Sequence, residues 1–261
     1  MCKVIAITNQ KGGIGKTTTV HSLGTGLVAQ GKKVLLIDLD PQANLTMCCG
    51  LQEPDKLDYT VLDVIDAVVN DEPVNEKVIV HTNFGVDLIP SNIGLSGAEI
   101  SIAGVMSREV IVRSFIEEIR GSYDYILIDT MPSLGILTVN ALACADSVLI
   151  PVQPAYLPAK GLQQLLRTVS MVRKRLNPSL KIEGILFTLV DSRTRNARDI
   201  MDQITQLYGQ KIPIFVSRIP VSVRASEMPQ SSMNIFDYDP EGKVAMAYGA
   251  FTKEVMENGS K

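Results

Sequence analysis

The run Asn9-Gln10-Lys11-Gly12-Gly13-Ile14-Gly15-Lys16-Thr17-Thr18 carries residue types suited to holding a polyphosphate. Gly12, Gly13 and Gly15 free the backbone to turn successive N–H groups toward one centre, and the helix-compatible stretch that follows adds its positive end. Lys16 supplies a point charge to the β- and γ-phosphates, the Thr17 hydroxyl suits Mg²⁺, and Thr18 is placed for the α-phosphate. The ordinary GxxxxGK[ST] loop fails at its first position, where Gln10 stands, and a second lysine, Lys11, is added. The bland alternative is a glycine-rich turn that only joins strand to helix. Three glycines, two lysines and paired threonines directly after a strand favour the phosphate loop.

Two apolar runs close on aspartate. Val34-Leu35-Leu36-Ile37-Asp38 continues into Leu39-Asp40-Pro41-Gln42-Ala43-Asn44, and Tyr125-Ile126-Leu127-Ile128-Asp129 has the Walker B form, whose carboxylate holds Mg²⁺ directly or through water. Ligands of parallel α/β sheets gather at the carboxyl ends of strands, which places these acids before the phosphates. Singly, such an aspartate is as readily a turn or helix cap. Two strand ends of this kind beside the loop favour chemistry.

The scaffold that must position these groups is legible as alternation: short apolar, β-branched runs between longer stretches of helical period, the pattern of a parallel sheet wrapped by helices. Strands are predicted near residues 3–8, 33–38, 86–89, 125–129, 147–152, 181–190 and 214–217. Several are apolar almost throughout, as strands covered on both faces are. Helices are predicted from the glycine loop to Gln30 and over residues 60–69, 97–120, 158–176, 196–208 and 241–256. The fold class expected is α/β, a mostly parallel twisted sheet with helices on both faces. In the last helix Val244, Tyr248, Phe251 and Val255 form one core-facing stripe, and a membrane-binding tail would want more basic residues than Lys243 and Lys253.

Apolar residues make up 46% and charged residues 20% of the chain, which supports a large core and excludes a disordered chain. One domain over residues 1–261 is expected, with no separate DNA-reading domain. No apolar stretch approaches the roughly 18–20 residues that span a bilayer, and no signal-peptide pattern precedes the first strand, so a cytosolic location is expected. Cys2, Cys48, Cys49 and Cys144 form neither a disulfide framework nor a CxxC pair and read as buried thiols. His21 and His81 lack metal-ligand spacing. A net charge of −3 excludes a generally basic nucleic-acid binder, so any DNA affinity needs a local patch.

The chain resembles the ParA/Soj branch of the ParA/MinD partition ATPases, P-loop NTPases of the deviant Walker A (SIMIBI) type, along nearly its whole length. The segments that carry the resemblance are KGGIGKTTT, LLIDLDPQANLT, YILIDTMPSLG, VLIPVQPAYLPAKGL and IPVSVRASEMP. It implies ATP or ADP with Mg²⁺ as cofactors, held by the loop from Lys11 to Thr18, Ile14 included. The family's signature lysine falls at Lys11 and is implied to cross a sandwich homodimer to the other subunit's nucleotide, an arginine-finger role played by lysine. Asp40 is implied to position the attacking water, Asp38 to lie beside Mg²⁺, and Pro220 and Ser222 to lie in the adenine-contacting loop. The activity implied is slow ATP hydrolysis that times a switch: the ATP-bound dimer holds non-specific DNA at the nucleoid, and a ParB-like partner stimulates turnover during plasmid or chromosome partitioning. Three segments depart from the family's pattern: Asp129-Thr130-Met131-Pro132 replaces Asp-x-Pro-Pro, Ala155 replaces an acidic residue, and Pro220-Val221-Ser222-Val223-Arg224 lacks one arginine.

Arg193, Arg195 and Arg198 open a predicted helix, and the resemblance brings Arg218 and Arg224 near them as a DNA surface held by salt-dependent phosphate contacts. Composition alone favours a solvated helix face, since Asp191, Asp199 and Asp202 interleave. Three rival functions share the fold or the site. A MinD-like membrane-cycling ATPase is disfavoured by the DPQAN segment and the non-basic tail, a reductase or metal-cluster carrier by the unpaired cysteines. A regulator that holds nucleotide without hydrolysing it is disfavoured by Lys16, Asp40 and Asp129.

Overall fold

A computed structural model describes residues 2–155, 158–222 and 233–258, excluding the side chains of residues 158–160. The apolar runs form strands β1 (Lys3–Ile7), β2 (Val34–Leu39), β3 (Val80–His81), β4 (Asp87–Ile89), β5 (Tyr125–Thr130), β6 (Ser147–Val152), β7 (Lys181–Val190) and β8 (Ile214–Pro220). They make one sheet in the order β3-β4-β2-β5-β1-β6-β7-β8. Every pairing is parallel except β3 with β4.

Successive strand residues point to opposite faces, and here both faces are apolar. Val4 and Ala6 of β1 enter one core while Ile5 and Ile7 enter the other. The first core is closed by α3 (Val61–Val69), α4 (Ala98–Ser101), α5 (Ile111–Ile119), α6 (Ile136–Cys144), α7 (Pro158–Arg175) and α8 (Arg195–Tyr208). The second is closed by α1 (Lys16–Ala29), α2 (Asn44–Cys48), α9 (Ile235–Tyr238) and α10 (Lys243–Asn258), whose Val244, Tyr248, Phe251 and Val255 are buried as the stripe predicts. A sheet too apolar to face water on either side thus has helices on both, the architecture of a P-loop NTPase.

The predicted helix over residues 97–120 is not continuous. Short 3₁₀ turns flank α4, Ser107 takes a left-handed φ of 58°, and α5 begins only at Ile111. Asn140 of α6 explains the break: its amide donates to Arg108 O (2.7 Å) and its oxygen accepts from Val112 N (3.2 Å), so a tertiary contact satisfies backbone that a helix would otherwise pair. Helix α6 itself escapes a periodicity reading because seven of its nine residues are buried, leaving no polar stripe. The short elements α2, α9 and β3 are likewise additions.

The sheet order sets β2, β5 and β1 side by side, with Asp38 opposite Asp129 and Asp129 opposite Ile7. The carboxyl ends of these three strands therefore open onto one place.

Candidate functional site

The loop after β1 is held from behind. Thr188 Oγ1 donates to Ile14 O (2.7 Å), Thr19 Oγ1 donates to Gly15 O (2.7 Å), and the Thr19 and Tyr248 hydroxyls are hydrogen-bonded at 3.1 Å. Asn9 accepts from Lys11 N (3.2 Å) and donates to Pro151 O (2.7 Å). Gly13 (φ 69°) and Gly15 (φ 85°) take the left-handed backbone that the turn needs. The N–H groups of Gly12, Gly13, Gly15 and Lys16 meet no acceptor among the described residues, so the concave side of the loop presents donors at the start of α1.

That concave side is the wall of a cavity of about 660 Å³. The cavity is lined by the glycine loop, Lys16, Thr17, Thr18 and Asp40. The lining also includes Thr188, Leu189, Ile219, Pro220, Ser222, Val244 and Tyr248. Lys16 is only 7% exposed, and burial lowers its pKa against the opposing pull of Asp129 and Asp40. Its ammonium donates to Lys11 O at 3.4 Å, a long contact that leaves it available to an anion.

Thr17 Oγ1 donates to Asp129 Oδ2 at 2.7 Å, while Asp129 Oδ1 is buried without any partner. Burial, reinforced by the neighbouring Asp38, pushes the Asp129 carboxyl up to about 8. An orphaned carboxylate oxygen beside a hydroxyl is a pair of hard oxygen donors, the kind Mg²⁺ takes one or two of when phosphate and water complete its shell. Among the described residues no group of three or more His, Cys, Asp or Glu side chains is placed to cage a metal ion. The residues present thus fit a cation shared with a bound phosphate rather than a protein-only site.

Asp38 behaves differently from its neighbour. It is fully buried, and its oxygens accept from Asp40 N (3.1 Å), Thr46 N (2.9 Å) and Thr46 Oγ1 (2.8 Å). Burial raises its carboxyl to about 6 in spite of these bonds. Thr46 Oγ1 also accepts from Ser91 N (2.9 Å). Asp38 thus ties β2, α2 and the Asp40 turn together, in register beside Asp129 on the neighbouring strand. Asp40 lines the cavity, with Oδ1 accepting from Gln42 N at 3.0 Å. The left-handed Ala43 (φ 51°) then turns the chain into α2.

Pro220 and Ser222 line the same cavity as Lys16. Ile14 is buried behind the loop, and Lys11 is exposed outside the cavity with Nζ donating to Gln153 Oε1 at 3.0 Å. Thr188 and Tyr248, with their hydroxyls wired to the loop, went unremarked at the sequence level for this role. Nothing local marks them, because the contacts join positions more than 170 residues apart.

The arginines are exposed but not equivalent. Arg193 is bound bidentately by Asp191 (2.9 Å for each bond) and Arg198 donates to Ser192 O, while Arg195 opens α8 and Arg218 sits on β8. The pairing of Val190 with Pro220 brings the segment after β7 beside the end of β8. Arg224 lies outside the described residues. No helix of the described residues is long and apolar enough to cross a membrane.

Residues 2–182 match the AAA domain family. Over 99% of this chain and all of its own length, the sporulation initiation inhibitor protein Soj of Bacillus subtilis (strain 168) is 44% identical. The chromosome-partitioning ATPase Soj of Treponema pallidum (strain Nichols) is 40% identical over 98% of each chain. A crystal structure of cobyrinic acid a,c-diamide synthase from Mycobacterium smegmatis with bound ADP and magnesium superposes with a TM-score of 0.87, at 36% identity over 100% of this chain and 96% of that one.

Proposed function

The chain belongs to the Soj/ParA family of chromosome-partitioning ATPases, and from that membership we propose that it is a single-domain, ATP-dependent dimerising switch that holds DNA non-specifically in its ATP state. The observation that carries this reading is the convergence of the Gly12–Gly15 donors, Lys16, Asp40 and Thr17, the last hydrogen-bonded to Asp129, on one cavity.

In this reading ATP lies along the cavity, its phosphates on the loop N–H groups and its adenine between Leu189, Pro220, Ser222 and Tyr248. Thr17 and Asp129 would hold Mg²⁺, which would supply positive charge to the phosphates when bound. Lys16 stabilises the transferred phosphoryl, and Asp40 orients the attacking water. Asp38 acts at one remove by fixing the Asp40 turn and the start of α2. Lys11 leaves Gln153 to reach the nucleotide of a second copy, which makes the homodimer conditional on ATP. Turnover is slow, so that the DNA-bound state at the nucleoid of the cytoplasm persists until a ParB-like protein shortens it.

The test is DNA retention by the wild type, Lys11→Ala and Asp40→Ala with ATP and with ADP. Retention of the wild type and Asp40→Ala with ATP only, and its loss in Lys11→Ala, is the expected result. Retention that ignores the nucleotide, or that survives in Lys11→Ala, sinks the dimer switch. Release of phosphate from ATP with no acceptor added separates this reading from the amide-forming chemistry named for the Mycobacterium smegmatis protein.

A further inference from the structure

Glu99 lies outside the cavity, yet it has an environment that a surface glutamate does not need. Its Oε1 is shut off from water and has no hydrogen-bond partner. The carboxylate is seated against Gly135, where an added Cβ would lie 2.0 Å from Oε1 and 3.0 Å from Cδ. A buried acceptor left unpaired costs about 1–3 kcal/mol, and more when charged, so it persists only where something compensates it.

The compensation at hand is α6. Gly135 is its N-cap residue, no side chain caps the helix, and its first turn holds no acidic residue. The first N–H groups of a helix have no partner inside it and carry its positive end. Glu99 therefore supplies from another element the negative charge that α6 lacks in its own sequence. Asn140 bolts α6 to the same stretch of chain through Arg108 O and Val112 N.

What Glu99 grips is the five-residue connection between β5, which ends the Asp129 strand, and α6. Pro132 of this loop lines the cavity, and the loop is otherwise closed by short contacts of its own: Ser133 N to Met131 O (2.8 Å), Gly135 N to Ser133 Oγ (3.3 Å) and Thr138 Oγ1 to Ser133 O (2.9 Å). Of the contacts named, only Glu99 ties it to a separate element. We propose that Glu99 is a positioning residue: by seating its carboxylate on Gly135 at the start of α6, it holds the loop after Asp129 in the geometry that ATP hydrolysis needs. The inference rests on the ATPase reading above and adds to it a link from α4 to the cavity.

The experiment compares wild type, Glu99→Gln, Glu99→Ala and Gly135→Ala by steady-state ATP hydrolysis and by amide hydrogen exchange. In Glu99→Ala and Gly135→Ala, kcat should fall about tenfold with KM for ATP within about twofold, because misplacement near the reacting groups weakens the transition state more than binding. Exchange at residues 134–138 should quicken in the same two variants while that of β1 and β5 stays slow. Glu99→Gln, which keeps the shape but not the charge set against the start of α6, should fall between Glu99→Ala and the wild type in both. Unchanged kcat and exchange in Glu99→Ala overturn the proposal, and so does a uniform rise in exchange across the sheet, which marks general destabilisation. If the wild type itself turned over no ATP, the ATPase reading would fall, while the exchange comparison would still decide whether Glu99 holds the loop.

Discussion

His21 sits one helical turn beyond Thr17 on α1, fully buried, with neither ring nitrogen hydrogen-bonded and its ring edge-on to Phe84 at 5.3 Å. Burial alone lowers its pKa from 6.5 to about 4, so the folded protein keeps the imidazole neutral where the unfolded chain would protonate it. The stability it contributes is complete above the unfolded value and drains away as pH falls from about 6.5 toward 4. Between pH 7 and pH 5 the loss amounts to about 2 kcal/mol. Urea unfolding of the wild type and His21→Leu at the two pH values checks this. The variant should lose about 2 kcal/mol less than the wild type on acidification, and equal losses would remove His21 as the cause. The same burial that makes His21 acid-sensitive governs Asp38 and Asp129, whose contrast is instructive: three protein donors occupy Asp38, whereas Asp129 keeps one oxygen unclaimed. That difference separates a carboxylate that braces from one that is free to bind.

At the scale of elements, what could be read from the sequence was whatever is encoded over a few neighbouring residues. The glycine loop, Lys16, Thr17 and the aspartates closing β2 and β5 are local patterns, and the parallel order follows from apolar strands alternating with helices. Asp38 shows where such reading stops. The resemblance implies a seat beside Mg²⁺ for it, while nothing in the local pattern shows that Thr46, a residue of the unpredicted α2, donates twice to its carboxylate. The broken helix between Gly97 and Arg120 has the same origin, since the residue that breaks it, Asn140, belongs to another element. Replacing that side chain tests the explanation. Asn140→Ala leaves Val112 N buried and Arg108 O partly buried without their partner, and each lost bond of this kind costs about 1–3 kcal/mol. Thermal or urea unfolding should show a loss of about 2–4 kcal/mol. A variant within about 0.5 kcal/mol of wild type would mean that the chain breaks there for reasons of its own.

The whole molecule carries a net charge of −3, so the proposed DNA-holding surface would be assembled against the general field rather than by it. Strand β8 is one edge of the sheet, and Glu254 of α10 occupies the N–H groups of Val216 (2.8 Å) and Ser217 (3.1 Å), which guards that edge against pairing with another strand. Arg218 on β8 and Arg195 at the start of α8 are both exposed. Arg193 is 84% exposed in its side chain but spends its guanidinium on Asp191, so it offers DNA little unless that pair opens. The three arginines should therefore separate in a salt titration. Each phosphate neutralised contributes about 0.9 to the slope of log affinity against log salt, and the proposed dimer would present every residue twice. Arg195→Glu and Arg218→Glu should each flatten the slope by about 2 in the ATP state, while Arg193→Ala should leave it within about 0.5. Filter retention of a random-sequence duplex at four salt concentrations measures all of them together. A slope that none of the three substitutions moves would place any DNA on another face, because losing an ionic contact also loses the counterion release that it contributes to binding.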